Sequence, residues 1–593
     1  MANLDLKTIV GGAARLAERF GDEAYFAALC IRSGLVGPEL PHKVAQLMLA
    51  FDRYGMIGGA LSTAAIRSGD RTGVVDELGK LTFGQLDERS NRLANAWRER
   101  GLEPGEGVAI LARNHRFFID AMFAAAKSGS RIILLNTDFA APQIREVAGR
   151  EGTDLLVHDD EYAGMLEGID PPRGRFRAWA DEPGDDTLES LIESADPSAP
   201  PKAGTKPKII ILTSGTTGSP KGAPRSEPRS LAPVGGLLSK VPFRAREVTE
   251  LCAPMFHALG FSGMILSVAL GSTLVLRRKF DPAATLESLE NNRASAMVVV
   301  PVMLQRMLDL GDEAFDGRDF SELKIIFVSG SALGPELAKR TMKRFGPVVY
   351  NLYGSTEIAY ATIATPDDLE ADPGTVGKIV RGAVVKILDE DGNEVPSGDT
   401  GRIFVGNAIQ FEGYTGGETK EQLKGLMSSG DVGHFDDDGR LFIDGRDDEM
   451  IVSGGENVFP AEVEELLASH ESIEEAAAIG VDDEKFGQRL KAFVVLREGA
   501  QLSEDEIKEY VRENLARYKS PREVVFIDEL PRNPTGKVVK RELAEGDGES
   551  EDGAESSDET DSAGQSDDGA ESADDSDEGA KSTDKSEERA ESS

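Results

Sequence analysis

From Leu81 to Leu276, short apolar runs alternate with segments whose apolar positions recur every three to four residues. The runs "GVAIL", "RIILLN", "DLLVH", "KIIIL" and "STLVL" have the length and composition of buried strands. Between them, "TFGQLDERSNRLANAWRERG" places Leu86, Leu93, Ala94 and Trp97 on one helical face, with Gly101 as a stop. Strand and helix in alternation predict an α/β fold, a large N-terminal domain of layered α/β subdomains with ligands at strand ends. The polar, Pro- and Gly-rich stretch "DEPGDDTLESLIESADPSAPPKAGTKPK" reads as a surface linker feeding the strand "KIIIL". Leu251 to Leu276 carries no Asp, Glu, Lys or Arg and is long enough to be considered as a membrane span. Pro254, His257, Gly260, Gly263 and Gly271 break it up, so a core helix followed by the strand "STLVL" is the better account.

The pattern changes after Glu449. "PAEVEELLASH" starts with Pro460 in a helix's first turn and buries Val463, Leu466 and Leu467. "SEDEIKEYVRENLARY" carries the capping box Ser503 and Glu506, then Ile507, Val511 and Leu515 one turn apart. With the strands "AAAIGV", "KAFVVL" and "EVVFI", this region reads as a separate small α+β C-terminal domain, and "IDGRDDEM" before it as a candidate hinge. From about Glu545 the chain is Ser, Asp, Glu, Gly and Ala, with "DGAES" at Asp552 and again at Asp568. Such a tail cannot bury enough apolar surface to offset its conformational entropy and is expected to be disordered. Its role is either solubilising or the binding of a cationic partner.

At 593 residues the chain is too long for one small core, and 40% hydrophobic content suffices for a globular body. A formal net charge of -39 argues against a nucleic-acid or anionic-membrane binder, and the tail supplies under half of that excess. Cys30 and Cys252 support neither a disulfide framework nor a Cys-based zinc site, which suits a reducing, cytoplasmic setting. The N-terminus "MANLDLKTIVGGAARLAERF" is interrupted by Asp5, Lys7, Arg15 and Glu18, so it reads as an amphipathic helix rather than a secretion signal.

The chemistry begins at "TSGTTGSPKG", Thr213 to Gly222, directly after "KIIIL". A strand entering a loop of glycines and hydroxyls is a common phosphate cradle. Pro220 before Lys221 and Gly222 after it leave no hydroxyl to hold magnesium as a P-loop does. Alone, the loop is as well read as a surface connection, "YGSTE" (Tyr353 to Glu357) as a turn and Asp431 in "SGDVG" as a turn former. Together with "VSGSALG" (Val328 to Gly334), the segment from Ser429 to Glu464 and "LPRNPTGKVVKREL" (Leu530 to Leu543), these blocks stand in one order and spacing.

In that order the chain resembles the adenylate-forming enzymes of the acyl-CoA synthetase superfamily, most like bacterial fatty-acid CoA ligases, over roughly residues 60 to 543. The resemblance implies an N-terminal helical extension over 1–60, a large adenylation domain over 61–445, a hinge at 446–448, a small mobile domain over 449–543 and the tail over 544–593. It implies ATP, CoA and Mg2+ as cofactors. A carboxylate attacks ATP to give acyl-adenylate and pyrophosphate, and a thiol then displaces AMP. Thr213, Ser214, Gly215, Thr216, Thr217, Gly218 and Lys221 would hold the departing pyrophosphate; Ser329, Gly330 and Ser331 belong to the nucleotide site. Tyr353 and Gly354 would lie by adenine, Thr356 by the α-phosphate, and Glu357 would bind the metal. Asp431 and Arg446 would hold the ribose. Lys537 would be the catalytic lysine, Asp448 the hinge, and Gly454 and Gly455 the passage for the pantetheine arm.

His257 is read either as a core histidine or as a wall of the acyl pocket beside the carboxylate, with Phe261 and Val302 nearby in that pocket. No acidic residue stands there to grip an amino group, so a medium- or long-chain fatty acid fits better than an amino acid. One departure is plain. Where the family often has a histidine a few residues after "PKGA", this chain reads "PRSEPRSL", with Arg225, Glu227 and Arg229. An acyl-AMP ligase that hands its product to a carrier protein, a luciferase-type oxygenase and a non-catalytic protein organised around its acidic tail remain as alternatives. The partners are then small molecules, with no nucleic acid and at most peripheral membrane contact; the tail's partner is not specified.

Overall fold

The computed structural model describes residues 21–544 except 214–220, 226, 228, 229, 410, 418, 448, 450, 454, 455, 484–486, 516–518, 534 and 535. The amphipathic helix expected over the first twenty residues, the tail from Glu545, Asp448, Gly454, Gly455 and the loop from Ser214 to Gly218 therefore lie outside the described residues.

The strands expected from the apolar runs form, at Gly107–Leu111, Arg131–Leu134, Thr153–His158, Lys208–Thr213 and Thr273–Val275. Four of these, with Arg175–Arg177 and Lys221–Arg225, make a six-stranded sheet, parallel except for its last hairpin, in which Thr213 pairs with Lys221. A larger, fourteen-stranded sheet holds the fifth. It runs parallel from Thr72–Asp76 through Val248–Leu251, Ala296–Val299 and Ile325–Val328 to Val349–Tyr353, then turns antiparallel at Thr362–Ala364. Ligands of such sheets sit beyond the carboxyl ends of the strands. Those ends are where "VSG", "YGSTE" and Val300 lie.

The helix Phe83–Glu99 is built as its pattern predicts. Thr82 and Gln85 form a capping box, Leu86, Leu93, Ala94 and Trp97 are buried, and Gly101 follows with φ +86°. Full burial of side chains such as Leu86 and Leu93 is worth about 1.5–3 kcal/mol each. The apolar stretch from Leu251 becomes the helix Ala258–Ala269 and the strand Thr273–Val275. Among the described residues no helix is long and apolar enough to cross a membrane. The expected linker departs from its reading. It contains the helix Leu188–Ser194, capped by Thr187 through Ser190 N (3.2 Å), which buries Leu188, Leu191 and Ile192.

The small C-terminal domain is a five-stranded sheet over Ile451–Phe526 with the helices Pro460–Ala468 and Glu504–Asn514. Its core joins Ile451, Val463, Leu467, Ile473, Ile507 and Val511, while Leu466 is only partly buried. Ser503 and Glu506 form the expected capping box.

Candidate active site

One cavity of about 3050 Å³ is lined by Lys221, Ser329, Gly330, Ser331, Tyr353, Gly354, Thr356, Glu357, Asp431, Arg446 and Lys537. His257, Phe261 and Val302 line it too. Blocks more than three hundred residues apart thus meet in one space. Thr213 ends its strand beside Lys221, its hairpin partner.

The centre is the turn after Val349–Tyr353. Tyr353 donates its phenol proton to Asp431 Oδ2, and Arg446 Nη1 donates to Asp431 Oδ1 at 3.0 Å. Asp431 and Arg446 are cross-strand partners in the antiparallel pair Leu426–Phe435 and Arg440–Arg446, so the sheet register itself sets their pairing. Burial, and then the adjacent Asp431 carboxylate, raise the Tyr353 phenol well above its usual range.

Glu357 is held from two sides. Ser355 Oγ donates to its Oε2 at 2.9 Å and Tyr414 OH to its Oε1 at 2.8 Å. Lys221 Nζ lies 5.4 Å from the centroid of the same Tyr414 ring, a cation–π contact. Thr415 N bonds Gly222 O at 3.0 Å, and Thr415 Oγ1 bonds buried Glu151 at 2.7 Å. Tyr414 and Thr415 therefore fasten the strand carrying Lys221 to the Glu357 turn. Among the described residues no group of three or more His, Cys, Asp or Glu is placed to hold a metal alone. A single carboxylate, its oxygens oriented by hydroxyls, suits a hard ion that takes its remaining ligands from phosphate oxygens and water.

Arg225, in the stretch that departs from the resembled pattern, is half-buried and donates through Nη2 to Thr356 O. Burial lowers its pKa to about 10, partly offset by Glu357. Tyr414 and the contact of Arg225 with Thr356 were not read from the sequence. The only sequence signal for Tyr414 is an aromatic between glycines, in "GYTGG".

Lys537 is exposed to the cavity and held through its backbone: Lys537 N donates to Asn533 Oδ1 at 2.9 Å, and Asn533 N to Lys537 O at 2.8 Å. Gly536 packs so closely on the helix Pro301–Leu308 that a Cβ there would fall 2.1 Å from Val302 Cγ1, and its φ is +78°. This contact seats the small domain's loop against the pocket wall. His257 stands at the N-terminus of Ala258–Ala269, its ring 4.5 Å from that of Phe256, and its buried Nε2 has no hydrogen-bond partner among the described residues. Burial lowers its pKa to about 4, so the ring is neutral.

The chain matches the AMP-binding enzyme family over residues 61–415 and the AMP-binding enzyme C-terminal domain over 462–537. It is 30% identical to a fatty acid–[acyl-carrier-protein] ligase, ScoC, of Streptomyces coeruleorubidus, across 78% of this chain and 91% of that protein. It is 33% identical to an indoleacetate–CoA ligase of Aromatoleum aromaticum, across 78% and 92%. Among solved structures, the o-succinylbenzoate CoA synthetase of Bacillus subtilis in complex with its acyl-adenylate intermediate superposes with a TM-score of 0.71 at 26% identity, covering 82% of this chain and 97% of that one.

Proposed function

The chain belongs to the AMP-binding enzyme family and is an adenylate-forming ligase, and from that premise we propose that it converts a medium- or long-chain fatty acid to its acyl-CoA at the expense of ATP. A carboxylate oxygen attacks the α-phosphorus, the bond to the pyrophosphate oxygen breaks, and acyl-adenylate forms. The CoA thiol then attacks the acyl carbon, losing its proton, and AMP leaves. Both partners of the first step are anions, so neutralisation and in-line positioning are the enzyme's main tasks.

The observation that carries this reading is the meeting of Lys537 with Tyr353, Glu357, Asp431 and Arg446 around one cavity, with Gly536 seated on Val302. Lys537 meets the carboxylate and α-phosphate, and Thr356 the α-phosphate. Asp431 and Arg446 take the ribose hydroxyls. Lys221, Thr213, Ser214, Gly215, Thr216, Thr217 and Gly218 hold pyrophosphate, beside Ser329, Gly330 and Ser331. Mg2+, held by Glu357, would offset phosphate charge. His257, Phe261 and Val302 wall the acid. The boundaries proposed for this reaction are an N-terminal extension to residue 60, an adenylation domain to 445, a hinge at 446–448 around Asp448 and a small domain from 449. Turning at Asp448 withdraws Lys537 and brings Gly454 and Gly455 to the CoA path.

Similarity to a carrier-protein ligase supports a second reading, in which the acyl group passes to a carrier protein. Release of AMP and pyrophosphate over a panel from acetate to long-chain acids, with and without CoA, tests both. Thioester and AMP formed only with CoA are expected. Adenylate accumulating with CoA present supports the carrier route, and no acid-dependent pyrophosphate with any acid overturns the ligase reading.

A further inference from the structure

The match to the family begins at residue 61, yet the cavity is also lined by Leu47, Phe51, Met56, Ile57 and Ala60 of the helix Pro41–Ser68. Residues three to four apart share a helix face. Leu47 and Phe51 before the kink, and Met56 after it, form one apolar stripe, with Ala60 at its border with the core. Another stripe of this helix, with Leu61 and Ala64, is buried in the main core. A helix that only covers a core needs one apolar stripe; this one carries two, and the second faces the cavity. The Ala232–Lys240 helix contributes Val234 and Leu237 to the same cavity, and Ala258–Ala269 contributes Phe261 and Ile265. His257 begins the last of these helices, so this apolar arm starts where the acid's carboxylate is proposed to lie.

The wall is fixed at its kink. Gly55 adopts φ 72° and ψ -170°, and Ile57 N, at the start of the second helical segment, donates to Glu227 Oε1 at 3.1 Å. A Cβ at position 55 would fall 2.5 Å from that oxygen. The Glu227 side chain is 7% exposed, with Lys206 Nζ 3.6 Å from Oε2. Glu227 belongs to "PRSEPRSL", where the resembled family often has a histidine. In this chain a carboxylate instead caps the kinked helix.

We infer that residues 47–63 form the distal wall of the acid site, that Glu227 positions this wall, and that the arm takes a long, apolar alkyl chain rather than a compact aryl acid. The inference rests on the proposed acid activation. Phe51 and Met56 are 40% and 48% exposed, so the arm opens to solvent at its far end and does not sharply limit chain length.

The experiment measures kcat/KM for acid-dependent AMP release with butyrate, octanoate, dodecanoate and benzoate. Each methylene buried in the arm should raise kcat/KM about fourfold until the chain leaves it. Ala60→Phe, which fills the arm, and Glu227→Ala, which frees its wall, should each lower the dodecanoate-to-butyrate ratio at least tenfold. Phe51→Asp places a charge on the chain's path at a half-exposed position, and should lower the ratio likewise. An unchanged ratio in Phe51→Asp and in whichever of the other two variants retains the wild-type unfolding temperature overturns the inference, as does benzoate surpassing dodecanoate in the unaltered protein. If no acid of any length supports AMP release, the ligase reading itself fails, which is a separate outcome.

Discussion

A lysine that acts at a reacting carboxylate must be placed by its backbone, since its ammonium has to be left for the substrate. Lys537 meets that condition through Asn533 and through Gly536, whose carbonyl accepts from Arg532. Lys537→Ala should lower acid-dependent pyrophosphate release by about 10² to 10³; undiminished release would give its role to another residue. His257 makes a prediction of a different kind. Its folded pKa of about 4 lies below the usual 6.5, so the unfolded chain binds the proton first. The stability tied to the neutral ring is present above pH 6.5 and is lost as pH falls toward 4. His257→Gln should therefore flatten the fall in unfolding temperature between pH 7 and pH 5, and parallel curves for the two proteins would show that the ring is not desolvated. At this scale the sequence made legible contiguous blocks such as "YGSTE", though not the bond from Ser355 to Glu357 inside it. Tyr414 reaches Glu357 across 57 positions and Arg225 reaches Thr356 across 131, and no local pattern encodes such contacts.

Between single residues and the whole lie the elements, and there the proposed hinge is the informative case. Asp447 N bonds Gly430 O at 3.0 Å and Asp447 pairs with Arg402 at 2.8 Å, which ties the proposed hinge segment, as far as Asp447, to the large sheet. After it, Glu449 is gripped by Lys540 Nζ at 2.7 Å, which also holds Glu464 at 2.9 Å. Burial works against the Lys540 charge, but the two carboxylates outweigh it and raise its pKa. Fastening on both sides concentrates any rotation near Asp448. Proline fixes φ near -65°, so Asp448→Pro should leave adenylate formation within a few-fold of the unaltered protein while cutting thioester formation at least tenfold. Assayed separately, equal losses in the two half-reactions would place the rotation elsewhere. Strongly periodic elements such as Phe83–Glu99 were readable in their buried face and stop, because both are local, while the capping box of Thr82 and Gln85 emerged only in the structure. The helix Leu188–Ser194 was not, because seven residues in a polar stretch are ordered by burial of Leu188, Leu191 and Ile192 in the main core rather than by propensity.

For the whole molecule the question is how a chain of net charge -39 binds the polyanion ATP. The described cavity answers locally, gathering Lys221, Arg225, Arg446 and Lys537 where the turns converge. The acidic stretch from Glu545 contributes to the long-range repulsion instead, and it holds no Val, Ile, Leu, Met or aromatic residue with which to join a core. A chain ending at Ala544 should thus keep its unfolding temperature. At about 0.15 M ionic strength the Debye length is about 8 Å and screens distant charge, so KM for ATP should match that of the full chain. At about 0.01 M it grows to about 30 Å, and there truncation should lower KM for ATP. Polylysine retention by the full chain and not by the truncated one would assign the tail a cationic partner. A truncated protein that loses acid-dependent pyrophosphate release at both ionic strengths would instead make the tail part of the catalytic body, which its lack of large apolar side chains argues against.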